Sequence, residues 1–91
     1  MAYIGRVRVP TTWTSLETLL DTSFDASKEY SIQAGSNSNV RLCNSTSLPQ
    51  DEFDGENIKD LMQAIYKPDA GTLYVRTAVS APSFVVVSEL G

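Results

Sequence analysis

Leu73-Tyr74-Val75-Arg76-Thr77 and Ser83-Phe84-Val85-Val86-Val87-Ser88-Glu89, joined by Ala78-Val79-Ser80-Ala81-Pro82, decide the reading of this chain. The first run alternates apolar with polar or amphipathic side chains. The second is β-branched and contains almost nothing that prefers a helix. Two such runs with a connector of hairpin length predict an antiparallel hairpin. Leu73, Val75 and Thr77 should share one face, and Tyr74 and Arg76 the other. In the second run Phe84, Val86 and Ser88 share a face and Val85 and Val87 the opposite one. A strand apolar on both faces must be covered on both sides, by a second sheet or by a neighbouring subunit.

Working back along the chain, the same period of two recurs. Val7 and Val9 alternate with Arg6 and Arg8 until Pro10 stops the strand. Tyr30 and Ile32 lie inward in Glu29-Tyr30-Ser31-Ile32-Gln33, as do Val40 and Leu42 in Val40-Arg41-Leu42-Cys43. The turn formers Ala34-Gly35-Ser36-Asn37-Ser38-Asn39 between them predict a second hairpin. Thr14-Ser15-Leu16-Glu17 fits a capping box, so a short helix is expected over about 15–21, with Trp13 stapled to it. Trp13 then serves either as a plug closing one end of a sandwich or as a subunit contact. Ile58, Leu61, Met62 and Ile65 recur at helical spacing and predict a short helix, with a strand as the rival for 57–66.

The expected fold is thus a mainly β, small antiparallel β-sandwich of about six strands, with one or two short helices. It spans 1–91 as a single domain, for 91 residues make one small domain with a thin core. Help from oligomerisation is a natural remedy for that thinness.

Composition excludes several functions. The net charge is −4 and the pI about 4.5, with the seven basic residues scattered, which argues against nucleic acid as a partner. There is no histidine, hence no His metal ligand and no Ser-His-Asp triad. Cys43 is the only cysteine, so no internal disulfide forms. No stretch is long enough to span a membrane, and the first residues lack the order of a signal peptide. Synthesis and folding in a cytoplasm are expected. Asp51, Glu52, Asp54 and Glu56 crowd one loop, but the residue six after Gly55 is Leu61, so the EF-hand spacing fails. No catalytic residue, cofactor or metal is expected. A calcium-dependent module stands as a rival, as does a carbohydrate- or receptor-binding module built on Tyr30, Tyr66 and the loops at 35–39 and 44–57.

Read in order, Tyr30-Ser31-Ile32-Gln33, Asn39-Val40-Arg41-Leu42-Cys43, Leu73-Tyr74-Val75-Arg76 and Val85-Val86-Val87-Ser88-Glu89 give a pattern that resembles small virion structural proteins of tailed bacteriophages. Among these are capsid decoration (cement) proteins and the base domains of head or tail fibres. The resemblance implies a β-sandwich without enzymatic activity, often a homo-oligomer and commonly a trimer. Its partners would be copies of itself and the major capsid or another virion protein. The alternative in that setting is a tail, neck or fibre-attachment component. The pattern is broken at 57–67, where a plain polar strand would belong. The contact candidates are Trp13, Tyr74, Arg76, Phe84, Val85 and Val87, which are large anchors or lie on the second face of the closing ribbon.

Overall fold

The computed structural model describes residues 2–51, 53–68, 71–79 and 82–90. Its elements, in chain order, are β1 (Ala2–Val9), β2 (Thr14–Ser15), α1 (Leu16–Leu20), β3 (Tyr30–Ala34), β4 (Asn39–Ser45), β5 (Glu56–Lys59), β6 (Gln63–Tyr66), β7 (Thr72–Thr77) and β8 (Ser83–Glu89). Antiparallel pairs join β1 to β8, β2 to β7, β3 to β6 and β4 to β5. This is one long ribbon doubled back at the 46–55 loop. The ribbon is rolled so that β8 also meets β3 and β7 also meets β4. Two four-stranded sheets result, β1-β8-β3-β6 and β2-β7-β4-β5, in the arrangement of a jelly roll.

The alternation read from sequence holds on every long strand. Leu73, Val75 and Thr77 point inward from β7, Val40 and Leu42 from β4, and Tyr30 and Ile32 from β3. Val9, Leu16, Ile32, Val40, Val75, Val85 and Val87 are sealed between the sheets with at most 2% exposure. Each such side chain contributes about 1.5–3 kcal/mol of apolar burial.

Four expectations need correction. Neither expected hairpin exists, because β7 and β8 lie in different sheets, as do β3 and β4. A connector of hairpin length can equally turn a corner between layers, and here it does. Ser80 and Ala81 of the first connector lie outside the described residues. The corner after β3 is tied to the opposite strand. Gly35 N–H donates to the Phe84 carbonyl (2.8 Å), Phe84 N–H donates to Ser38 Oγ (2.9 Å), and Asn39 N–H donates to Ser83 Oγ (3.1 Å). Third, Val85 and Val87 are core residues, both 0% exposed, and cannot be subunit contacts. The facing sheet covers them, so the doubled apolar character of β8 is met on that side by the chain itself.

Fourth, the region from Ile58 to Ile65 is not a helix but β5 and β6, separated by a tight turn at Asp60 and Leu61. Only Ile58 of the helically spaced set is buried; Leu61, Met62 and Ile65 are exposed. The spacing therefore never defined a buried face. Both turn residues have positive φ, 42° and 69°, and Met62 N–H closes the turn on the Lys59 carbonyl at 3.1 Å.

The short helix is present, although its capping differs from the expected box. Ser15 is the N-cap and its side chain makes no capping bond. Glu17 Oε2 instead accepts from Phe24 N–H at 2.8 Å, pinning the segment that follows the helix. There Phe24 packs on Tyr30 and Tyr66, with ring centroids 4.5 and 5.7 Å away. No helix among the described residues is long and apolar enough to cross a membrane.

Candidate functional site

Each sheet has an inner face in the core and an outer face, and the two outer faces differ. Directly opposed residues of an antiparallel pair share a face, so register assigns every outward side chain. On β2-β7-β4-β5, Tyr74 opposes Ser15 and Cys43, and Arg76 opposes Arg41. Two like charges in direct opposition disfavour the sheet unless something screens them.

The 46–55 loop supplies the cover. The Arg41 guanidinium lies 5.1 Å from the centre of the Phe53 ring, and that of Arg76 lies 5.9 Å from the Trp13 ring. Both are cation–π distances. Trp13 Nε1–H donates to the Asp51 carbonyl at 2.9 Å, which ties the loop to the strand entering β2. The loop returns to β5 through Gly55 at φ 83°, where a Cβ would stand 2.0 Å from the Leu42 carbonyl oxygen. Only glycine allows the chain that close to β4. The loop's nearness reaches Cys43: burial first, and then the negative charge of Asp54, pushes its thiol pKa up.

The acidic loop therefore does structural duty on its own sheet. Asp51 Oδ1 accepts from Phe53 N–H (2.9 Å) and Asp54 Oδ2 from Asp51 N–H (3.2 Å), so both carboxylates shape the turn. Glu52 lies outside the described residues. Among the described residues there is no cluster of three or more potential metal ligands.

Among the described residues, the outer face of β1-β8-β3-β6 has no such loop over it. Register places Tyr3, Arg6 and Arg8 of β1 beside Ser88, Val86 and Phe84 of β8. Ser31 and Gln33 of β3 and Gln63 and Ile65 of β6 continue the same face, with Gln63 Nε2 bonded to Ser31 Oγ. The Arg6 guanidinium stacks 4.5 Å above the Phe84 ring. Beside it runs a groove of about 410 Å³, floored by Phe84 and Val86 and rimmed by Arg6, Gln33 and Leu61. Leu61 on its rim, and Tyr3 and Ile65 elsewhere on the same face, are each more than half exposed.

Of the six expected contact residues, the fold brings Trp13, Tyr74 and Arg76 together on the covered face. Phe84 lies on the bare face, while Val85 and Val87 go to the core. Tyr30 and Tyr66, named for sugar stacking, are 3% and 4% exposed, so neither offers a ring face to a ligand. Their hydroxyls are used internally: Tyr66 donates to the Gly71 carbonyl, and Tyr30 accepts from Asp25 N–H. Arg6, Val86 and Leu61 were missed as site residues. The alternation of Arg6 and Arg8 with Val7 and Val9 was visible in sequence, but the apolar floor beside the arginines depends on β1 and β8 being neighbours. That pairing joins the two ends of the chain.

Comparison with family models, with curated proteins and with solved structures finds no significant match for this chain.

Proposed function

We propose that this chain is a non-enzymatic virion structural protein that docks on an assembled phage particle as a capsid decoration or cement protein. The observation that carries the reading is the bare outer face of β1-β8-β3-β6, where Phe84, Val86, Ile65 and Leu61 lie among Arg6, Arg8 and neutral polar side chains. A mixed apolar and basic face on a rigid sheet suits binding to a fixed protein surface. Jelly rolls are a common architecture of capsid domains, and repetition on a particle multiplies modest contacts. A non-enzymatic role is supported by the lack of histidine and by a Cys43 thiol held toward its unreactive protonated form. The partners are the major capsid protein or another virion protein, and copies of this chain. With Val85 and Val87 in the core, any self-association through β8 falls to Phe84 and Val86.

Gradient co-sedimentation with purified particles tests the reading, with light scattering on the free protein for its oligomeric state. Expected are stoichiometric recovery of the chain on the particle and a small oligomer, a trimer, in solution. A chain absent from purified particles would refute the virion role.

A further inference from the structure

We infer that the bare face of β1-β8-β3-β6 takes an acidic, aromatic-bearing segment of the partner protein, seated with its carboxylates on Arg6 and Arg8 and its ring in the groove over Phe84 and Val86. The inference rests on the docking role given to that face above, and names the chemistry of what docks.

Three observations lead to it. The first is charge. The chain carries eleven acidic and seven basic residues, yet no outward position of these four strands holds a carboxylate, while Arg6 and Arg8 both lie there. Among the described residues neither has an acidic partner; the one ion pair is Lys28–Glu89. An arginine fork is built for carboxylates, and stacking on Phe84 fixes its plane before the ligand arrives.

The second is a precedent within the molecule. The other outer face also presents two arginines, Arg41 and Arg76, and the loop beside them brings the Phe53 ring to Arg41, flanked by Asp51 and Asp54, whose carboxylates accept from the loop's own backbone N–H groups. Arg6 and Arg8 have the same chemistry without that loop, so a partner segment of the same character completes it.

The third is Leu61. A bulky residue at φ 69° is disfavoured, and its side chain is 58% exposed on the groove rim. Its backbone is held on β3, the N–H donating to the Ala34 carbonyl (3.1 Å) and the carbonyl accepting from Gln33 Nε2 (3.1 Å), while the side chain stays exposed. As an apolar lip closing over a docked ring it acquires a role.

Other occupants fit less well. Two arginines on an acidic chain are too few for nucleic acid. A twofold contact between two copies through this face would set arginines against a surface without anions.

The test is an amide chemical-shift titration of the isotope-labelled chain with a synthetic peptide of residues 48–56, LPQDEFDGE, used as the acidic aromatic probe. Expected are shifts confined to β1, β8, β3 and the Asp60–Leu61 turn. Binding should weaken ~tenfold when Arg6→Glu and Arg8→Glu are combined, or when the peptide's acids become amides. The Leu61→Gly variant relieves the positive φ, so its melting temperature should hold or rise while binding weakens. Stability and binding moving in opposite directions is an outcome that a merely structural residue would not give. Any of four results overturns the inference: no shifts at about 2 mM peptide; shifts on β4 and β7 instead; equal binding of a peptide with lysines for its acids; or unaltered binding by Leu61→Gly. If particles protect this face while the peptide fails, the occupant is wrong and the docking role stands. If the peptide binds but the chain is absent from particles, the reverse holds.

Discussion

The outer faces of the two sheets start from the same material and end differently. Each carries two outward arginines, on β4 and β7 in one sheet and on β1 in the other, with aromatic side chains nearby. On the first face Phe53 and Trp13 stack on the arginines and an acidic loop closes over them. On the second only Phe84, from the sheet itself, stacks on Arg6, and the apolar groove stays open. A basic and apolar sheet face is thus something this chain covers where a loop is at hand. The twin that stays open is the face on which the proposed docking rests.

The sharpest way to break this contrast lies on β8, where adjacent valines face opposite ways. Val85→Asp puts a carboxylate into the core and should cost more than about 4 kcal/mol, enough to abolish folding. Val86→Asp, on the open face, should stay within about 1 kcal/mol. Urea unfolding of the pair decides it; equal losses would mean that the open face is packed after all.

Next in size is Gly55→Ala. A Cβ there meets the Leu42 carbonyl oxygen, so the loop must lift from β4, at a cost of about 2–4 kcal/mol. Increased amide exchange should be confined to β4 and the loop, leaving β1 and β8 as they were. Trp13→Leu is milder. It removes the indole hydrogen bond to the Asp51 carbonyl and the ring beside Arg76, for about 1–2 kcal/mol by thermal melting. The same variant should speed alkylation of Cys43. The smallest effect is Asp54→Asn. Burial, the larger cause, still holds the Cys43 pKa up, but the repulsion from Asp54 is gone, so the pH–rate profile of alkylation should move only slightly to lower pH. A profile unmoved by this change would mean that the loop does not lie against Cys43.

Much of the fold was legible because a period of two is local. Val7 and Val9, Tyr30 and Ile32, Val40 and Leu42, and Leu73 and Val75 declare their inward faces from neighbours two residues away. Strand pairing was not legible in the same way. Val79 and Pro82 in one connector, and Gly35 and Asn37 in the other, suit a hairpin as well as a corner between sheets. Choosing between them needs the long-range pairs of β1 with β8 and β3 with β6. The stretch Ile58 to Ile65 misled for a different reason. Its apolar residues are split between one core position and an exposed turn, and neither Asp60 nor Leu61 advertises a positive φ as glycine would. The open groove could not be read at all, since Arg6 and Phe84 meet only when the chain's two ends pair.

Hydroxyl-radical footprinting of the chain, free and bound to particles, addresses the docking face most directly. Bound chain should show protection of Tyr3, Leu61, Met62 and Phe84, with Trp13 and Phe53 oxidised as readily as in the free protein. Protection of Trp13 and Phe53, with Phe84 and Leu61 unchanged, would put the partner on the other sheet and end the case for the open face.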